Sequence, residues 1–172
     1  FLKERVGRCV GVVYFREQEP SSEQEALSYA RSPGMRFLDG DYLERTSEEV
    51  DQYVREIQVQ KHAYVAGDRQ WLRLRGVSEA VLLDDQELLV LQSGRMFSLQ
   101  EYENGSRVCL VSWYVEEMAL RQKENEALQS IVGKEVVVDN VVLEIIGVLG
   151  PKDPDFEPHF YKRNVTIPLE TV

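Results

Sequence analysis

The sequence predicts an α+β fold: mixed sheets with β-hairpins and interleaved helices, arranged as two closely joined subdomains. Three observations carry that expectation. Two pairs of strand-like runs meet at short turn signals, Gly67-Asp68 and Asp139-Asn140, which implies antiparallel pairing. Helical stretches fall between such runs, three of them opened by a Ser or Thr with Glu three residues on. No repeat, low-complexity tract or long linker interrupts the 172 residues, a length that suits one domain or two intimate subdomains.

Taken in chain order, residues 5–15 read as a strand buried along much of its length, because β-branched and aromatic residues crowd it. Ser22 and Glu25 have capping-box spacing, so a short helix is expected over about 23–31, ended by Ser32-Pro33-Gly34. The clearest helix is expected over 47–57. Thr46 is placed to cap it, and Val50, Tyr53, Val54 and Ile57 fall on one face. A hairpin follows, with Val59, Ala63 and Val65 on one face of its first strand. On the return strand Trp71, Arg73 and Arg75 alternate with Leu72 and Leu74. From Val77 to Gly94 the pattern is weaker: a short apolar piece over Ala80–Leu83, an acidic turn at Asp84-Asp85, then Leu88–Leu91.

Ser98 and Glu101 open a short acidic helix that stops at Asn104-Gly105. Arg107–Ser112 reads as a strand and Trp113 to about Leu128 as a helix. Lys134–Val138 and Val141–Leu149 make the second hairpin, and a proline-rich acidic loop leads into a last strand, Asn164–Leu169. A seam between subdomains is expected near 66–71.

Composition limits function. Hydrophobic residues make up 43% and charged residues 29%, as in a globular protein, but Asp+Glu number 30 against Lys+Arg 20. A net charge of −10 repels phosphate backbones, so no nucleic acid is expected as a partner. No run of about 18 apolar residues is present to span a bilayer, and no basic-plus-apolar leader opens the chain. A chain that begins at Phe1 without methionine is expected to be cut from something longer.

The motifs of chemistry do not assemble. His62 and His159 each lack a second His or Cys within a turn, so no metal set forms. His62 sits between Gln60 and Tyr64 on an expected exposed strand face. Asp153, Asp155 and Glu157 alternate as in a hard-cation loop but lack the glycine and terminal Glu of a calcium hand. There is no Gly-x-Ser-x-Gly elbow and no glycine-rich loop ahead of a helix. Cys9 and Cys109 lie in apolar runs, which suits buried free thiols; pairing in an oxidising compartment stays open. No catalytic, cofactor or metal residue is therefore assigned, and no cofactor is expected. Trp71, Arg73 and Arg75 form a candidate contact stripe, or a hairpin face on which Arg stacks on Trp. Phe156, Phe160 and Tyr161 stand in an otherwise polar loop, either folded back as a plug or presented as a binding tip.

The second half carries an ordered series. Ser93-Gly94-Arg95-Met96-Phe97-Ser98 resembles the "GR.F" step of MacB-type permease extracytoplasmic domains, and an acidic helix follows at Leu99–Glu103. Val108–Ser112 is similar to that group's short apolar strand, and Val132-Gly133-Lys134 to its "(I/V)GK" step. Val142–Leu149 resembles its "FTVIGVL" strand and Asn164–Thr171 its "N.V.IPLET" ending. The helix from Trp113 departs from the usual "A..LFG" pattern. The resemblance to the MacB/FtsX group implies an extracytoplasmic domain between the first two membrane helices of an ABC-transporter permease. In such domains a Sabre subdomain is inserted into a porter-like one, so 1–66 is expected to be the first porter portion and 67–172 the insert. Members of the group continue past the "IPLET" step with a further porter portion, whereas this chain ends at Val172.

The resemblance also implies a separate ABC ATPase subunit or domain and an adaptor or other extracytoplasmic partner. It further implies a homodimeric parent in the membrane and no catalysis by this chain. A ligand-binding sensor module of a membrane receptor is the alternative.

Overall fold

The computed structural model describes residues 2–5, 10–13, 22, 24, 27, 40, 42, 45–47, 55–121, 130–153, 155 and 159–171. The chain divides into two compact units, Phe1–Tyr53 and Val54–Val172.

In the first unit, β1 (Leu2–Arg5) and β2 (Val10–Val13) pair antiparallel, with Leu2 opposite Val13 and Arg5 opposite Val10. The single strand expected over 5–15 is therefore corrected, since one continuous strand cannot pair with itself. Gln24 and Leu27 are helical, in keeping with the helix expected over 23–31, whose other residues lie outside the described ones. Thr46 does not cap a helix. It is itself helical, and its hydroxyl donates back to the Tyr42 carbonyl at 2.7 Å. Val50, Tyr53 and Val54 lie outside the described residues, but Ile57 belongs to the strand that follows, so the helix does not reach 57. A β-branched residue at that place serves a strand's alternation as well as a helix's period, and pairing decided it.

The second unit is a seven-stranded sheet. Its strands are β3 (Glu56–Val65), β4 (Asp68–Val77), β5 (Leu89–Gly94), β6 (Val108–Ser112), β7 (Glu135–Val138), β8 (Val141–Pro151) and β9 (Asn164–Pro168). They hydrogen-bond in the order β5-β8-β6-β9-β4-β3-β7, and β7 pairs with β8 as well, so the ladder returns on itself. Strand β8 makes this possible by its length. Its first residues pair with β7 and its last with β5, while β6 occupies the other edge. The pairs β4–β9 and β6–β8 are parallel and the rest antiparallel, a mixed sheet as predicted.

Turn chemistry sets both hairpins. Asp139 and Asn140 adopt φ of 46° and 68°, the doubly positive turn that matches strand twist. The first turn is shifted by one residue from the expected Gly67-Asp68. It is formed by Ala66 and Gly67 at φ 49° and 96°, and Asp68 already pairs with Val65. Register explains the shift, because pairing Val65 with Asp68 keeps Ala63, Val65, Leu72 and Leu74 all in the core. Val59, on the same face but near the open end, stays 41% exposed.

Two apolar clusters fill the unit. One joins Leu72, Leu74, Val111, Ile145 and Val165 to Val115 and Ala119 of a helix over Trp113–Arg121. The other packs Val81 and Leu82, from a helix over Glu79–Asp85, on Leu110, Ile146 and Leu149. Strands β6 and β8 thus bury residues of both parities, which is why they read as unbroken apolar runs. In chain order these helices are α1 (Glu79–Asp85), α2 (Leu99–Glu103) and α3 (Trp113–Arg121). The Ser98 capping box is fully formed: the Ser98 hydroxyl accepts from the Glu101 N–H, and the Glu101 carboxylate accepts from the Ser98 N–H at 2.8 Å. The helix expected to run to Leu128 is described as far as Arg121.

Candidate binding surface

The alternation of β4 fixes which side chains leave the core. Leu72 and Leu74 point inward, so Trp71, Arg73 and Arg75 share the opposite face. Strand β9 lies parallel beside β4 with Asn164 opposite Arg73, and the Arg73 N–H donates to the Arg163 carbonyl at 2.8 Å. Val165 is in the core with Leu74, which places Asn164 on the face of Arg73. The residues just before β9 are held in place here: His159–Tyr161 make a turn of 3-10 helix, and the Ser112 hydroxyl donates to the Lys162 carbonyl.

Together these elements form a pocket of about 320 Å³, whose lining includes Trp71, Arg73, Tyr114, Lys162, Arg163 and Asn164. The Tyr114 ring organises its cations: Lys162 Nζ lies 5.8 Å and the Arg163 guanidinium 5.9 Å from the ring centre. Trp71 is 43% exposed and meets the edge of the exposed His62 ring at 4.6 Å. Among the described residues no carboxylate lines the pocket, although the chain as a whole carries −10. Asn164 is only 4% exposed, and neither its amide nitrogen nor its amide oxygen has a hydrogen-bond partner.

Of the six residues singled out from sequence, the structure brings Trp71 and Arg73 to this pocket. Arg75 shares their face but is not a surface residue: it is 3% exposed, with Nε 2.6 Å from Glu56 and Nη1 2.7 Å from Asp85. The expectation of a three-residue contact stripe is corrected there, because α1 packs over that end of β4 and covers it. Burial works against the Arg75 charge, but the hydrogen bonds and charges of Glu56 and Asp85 outweigh it and raise the pKa. Tyr161 joins the same cluster. Its hydroxyl donates to Asp85 at 2.8 Å, and the Arg75 guanidinium sits 5.2 Å from its ring centre. Burial, with the Asp85 charge beside it, drives that phenol's pKa upward. Phe156 lies outside the described residues, and Phe160 is described only as part of the 3-10 turn.

Sequence reasoning missed Gln60, Tyr114, His159, Lys162, Arg163 and Asn164. One available signal was the adjacent basic pair Lys162-Arg163 directly ahead of the last strand, in an otherwise acidic segment.

Among the described residues no group of three or more His, Cys, Asp or Glu could hold a metal ion. Cys109 is a buried free thiol whose pKa is pushed up by burial and by the Glu144 charge; Cys9 lies outside the described residues. No helix among the described residues is long and apolar enough to cross a membrane.

The family model for the MacB-like periplasmic core domain matches residues 8–172. That match defines the class, the extracytoplasmic domain of an ABC-transporter permease. The chain belongs to the MacB-like periplasmic core domain family. Among solved structures it is similar to the periplasmic region of MacB from Actinobacillus actinomycetemcomitans, at 19% identity and a TM-score of 0.54. That match covers 84% of this chain and 61% of the other. It is also similar to the extracellular domain of the noncanonic ABC-type transporter YknZ from Gram-positive bacteria, at 20% identity and a TM-score of 0.57. Here the coverage is 78% and 63%. At such identities the likeness is one of fold, and the chain spans about three-fifths of the length of either structure. No curated protein matches the chain.

Proposed function

We propose that this domain is non-catalytic and relays ATP-driven movement of the transporter's membrane helices to a substrate or partner outside the cytoplasm. The observation that carries the reading is the family match over residues 8–172. A relay needs two arrangements of the domain that differ by a few kcal/mol, with ATP binding at the cytoplasmic side favouring one. The ATPase belongs to a separate subunit or domain, the membrane-embedded parent is a homodimer, and an adaptor or other extracytoplasmic protein receives the motion.

The first porter-like portion and the Sabre-like insert, expected over 1–66 and 67–172, are better divided before β3, because the compact units separate between Tyr53 and Val54. The contact surface is the face of Trp71 and Arg73 with the residues that precede β9, which offers aromatic and arginine side chains of the kind that dominate interfaces.

The test uses the parent transporter reconstituted with its ATPase and spin-labelled at Arg163→Cys in both copies. The distance between labels is expected to change on ATP binding. A distance that does not respond to nucleotide sinks the relay.

A further inference from the structure

The outer side of the sheet is covered unevenly. Among the described residues, side chains of α1 and α2 pack on the outward residues of β6 and β8, whereas β3, β7 and the start of β8 carry an apolar row in the open. Val65, Val136 and Leu143 form a buried row, so their neighbours Tyr64, Val137 and Val142 point outward. These three stand directly opposite one another across adjacent strands, Tyr64 with Val137 and Val137 with Val142. Tyr64 is 50% and Val142 42% exposed. Apolar residues scattered singly over a surface mean little, but a contiguous row with polar borders marks an interaction site.

The borders of this row name its occupant. Arg69 stands opposite Tyr64 on the β4 side, and Glu135 faces Glu144 across β7 and β8 in the next outward row. All three are exposed. At the hairpin tip Lys61 is already bonded to Asp139, which leaves that end without net charge. The face thus runs from a cation on β4 through an apolar middle to carboxylates on β7 and β8. Such a face is self-complementary. Turned about a two-fold axis parallel to the strands, between β3 and β7, it places β4 of one copy over β8 of the other. Two copies of a chain at −10 repel as wholes, so a face of matched charge is what singles out one approach.

We propose that this face of β3, β7 and β8 joins two copies of the chain within one transporter. Tyr64, Val137 and Val142 pack against the same row of the second copy, and Arg69 of each copy reaches Glu144 of the other. Three apolar side chains a copy are few for a complex that assembles from free solution. Two copies anchored in one membrane protein, however, meet at an effective concentration of about millimolar, where a small patch suffices. The proposal rests on the reading of the parent as a homodimer and names the surface by which its extracytoplasmic domains meet.

The test is crosslinking in the purified parent transporter, carrying Cys9→Ser, with and without ATP. The reagent is a thiol crosslinker that spans about 10 Å, the spacing of packed sheets. It is applied to Val137→Cys, beside the axis, and to Leu83→Cys, which is exposed on α1 and lies off the face. Val137→Cys is expected to give a covalent dimer in at least one nucleotide state, and Leu83→Cys in neither. Arg69→Glu added to Val137→Cys should lower the yield about fivefold. Glu144→Arg added in turn should restore it, since the pair re-forms with its signs exchanged. A Val137→Cys yield no higher than that of Leu83→Cys, an Arg69→Glu variant that crosslinks as before, or a charge exchange that restores nothing each overturns the proposal. The two readings can fail separately. A parent that sediments as a monomer removes the homodimer, whereas one that sediments as a dimer while Val137→Cys stays uncrosslinked removes only this face.

Discussion

The Arg75 guanidinium bonds the Asp85 carboxylate at 2.7 Å with both side chains shut away from water, at 3% and 8% exposure. Glu56 takes the Arg75 Nε at 2.6 Å and Tyr161 donates to Asp85 at 2.8 Å, so one buried charge ties β3, β4, α1 and the 3-10 turn together. Removing one partner of such a pair strands the other charge in a place it cannot be solvated. Arg75→Met is therefore expected to destabilise the fold by about 3–5 kcal/mol in urea unfolding. The double variant Arg75→Met with Asp85→Leu should lose less than Arg75→Met alone, because apolar groups of similar volume replace the pair. A double variant as unstable as the single one would show that packing, not charge, holds the cluster.

Glu101 gives a pH dependence with a definite sign. The hydrogen bond from Arg95, with those from the Ser98 N–H and hydroxyl, lowers its carboxyl from the usual 4.5 to about 2. The unfolded chain therefore takes up this proton first, and the stabilisation is complete above pH 4.5 and lost as pH falls towards 2. Arg95 is 55% exposed, so screening limits the effect to about 1 kcal/mol. Unfolding free energies at pH 6 and pH 3 should differ less in Glu101→Gln than in the parent sequence. Equal pH slopes in the two would remove Glu101 from the acid response.

Gly94 and Gly67 both have positive φ, at 79° and 96°, but differ in what surrounds them. A Cβ at Gly94 would stand 2.1 Å from the Ile146 carbonyl oxygen, which is backbone and cannot move aside. At Gly67 nothing lies within 4 Å. Gly67→Ala should thus cost only the backbone strain of about 1–2 kcal/mol. Gly94→Ala adds a clash at the β5–β8 crossing and should cost about 3 kcal/mol or more. Chemical denaturation of both variants separates the two contributions, and similar midpoints would contradict the close approach.

What the sequence revealed followed from local rules. Asp139-Asn140 announced its hairpin because a doubly positive turn restricts the residues that can make it, and Ser98 with Glu101 announced its helix because the box is reciprocal. The inward Leu72 and Leu74 fixed the outward side of β4, hence the places of Trp71 and Arg73. The fate of Arg75 was not legible, since its burial depends on α1 folding back over β4. The pocket was only half legible. Asn164 meets Arg73 through parallel pairing of strands about ninety residues apart, and Tyr114 arrives from the start of α3. Ile57 shows the opposite weakness: the local pattern was clear, and two periodicities could claim the same residue.

Cys109 tests the rigidity of the sheet directly. Its side chain is wholly buried in β6 between β8 and β9, and burial followed by the Glu144 charge pushes the thiol pKa up, so thiolate is scarce at pH 8. Alkylation requires both exposure and ionisation, and the folded chain supplies neither. Iodoacetamide at pH 8 is expected to leave Cys109 unmodified in buffer and to label it fully in concentrated urea, read from the mass of the peptide that contains it. The labelling rate in buffer then reports the opening of β6, because the β8 and β9 ladders must both part before reagent reaches the sulfur. Labelling in buffer at the urea rate would mean that this central strand is not closed in by its neighbours.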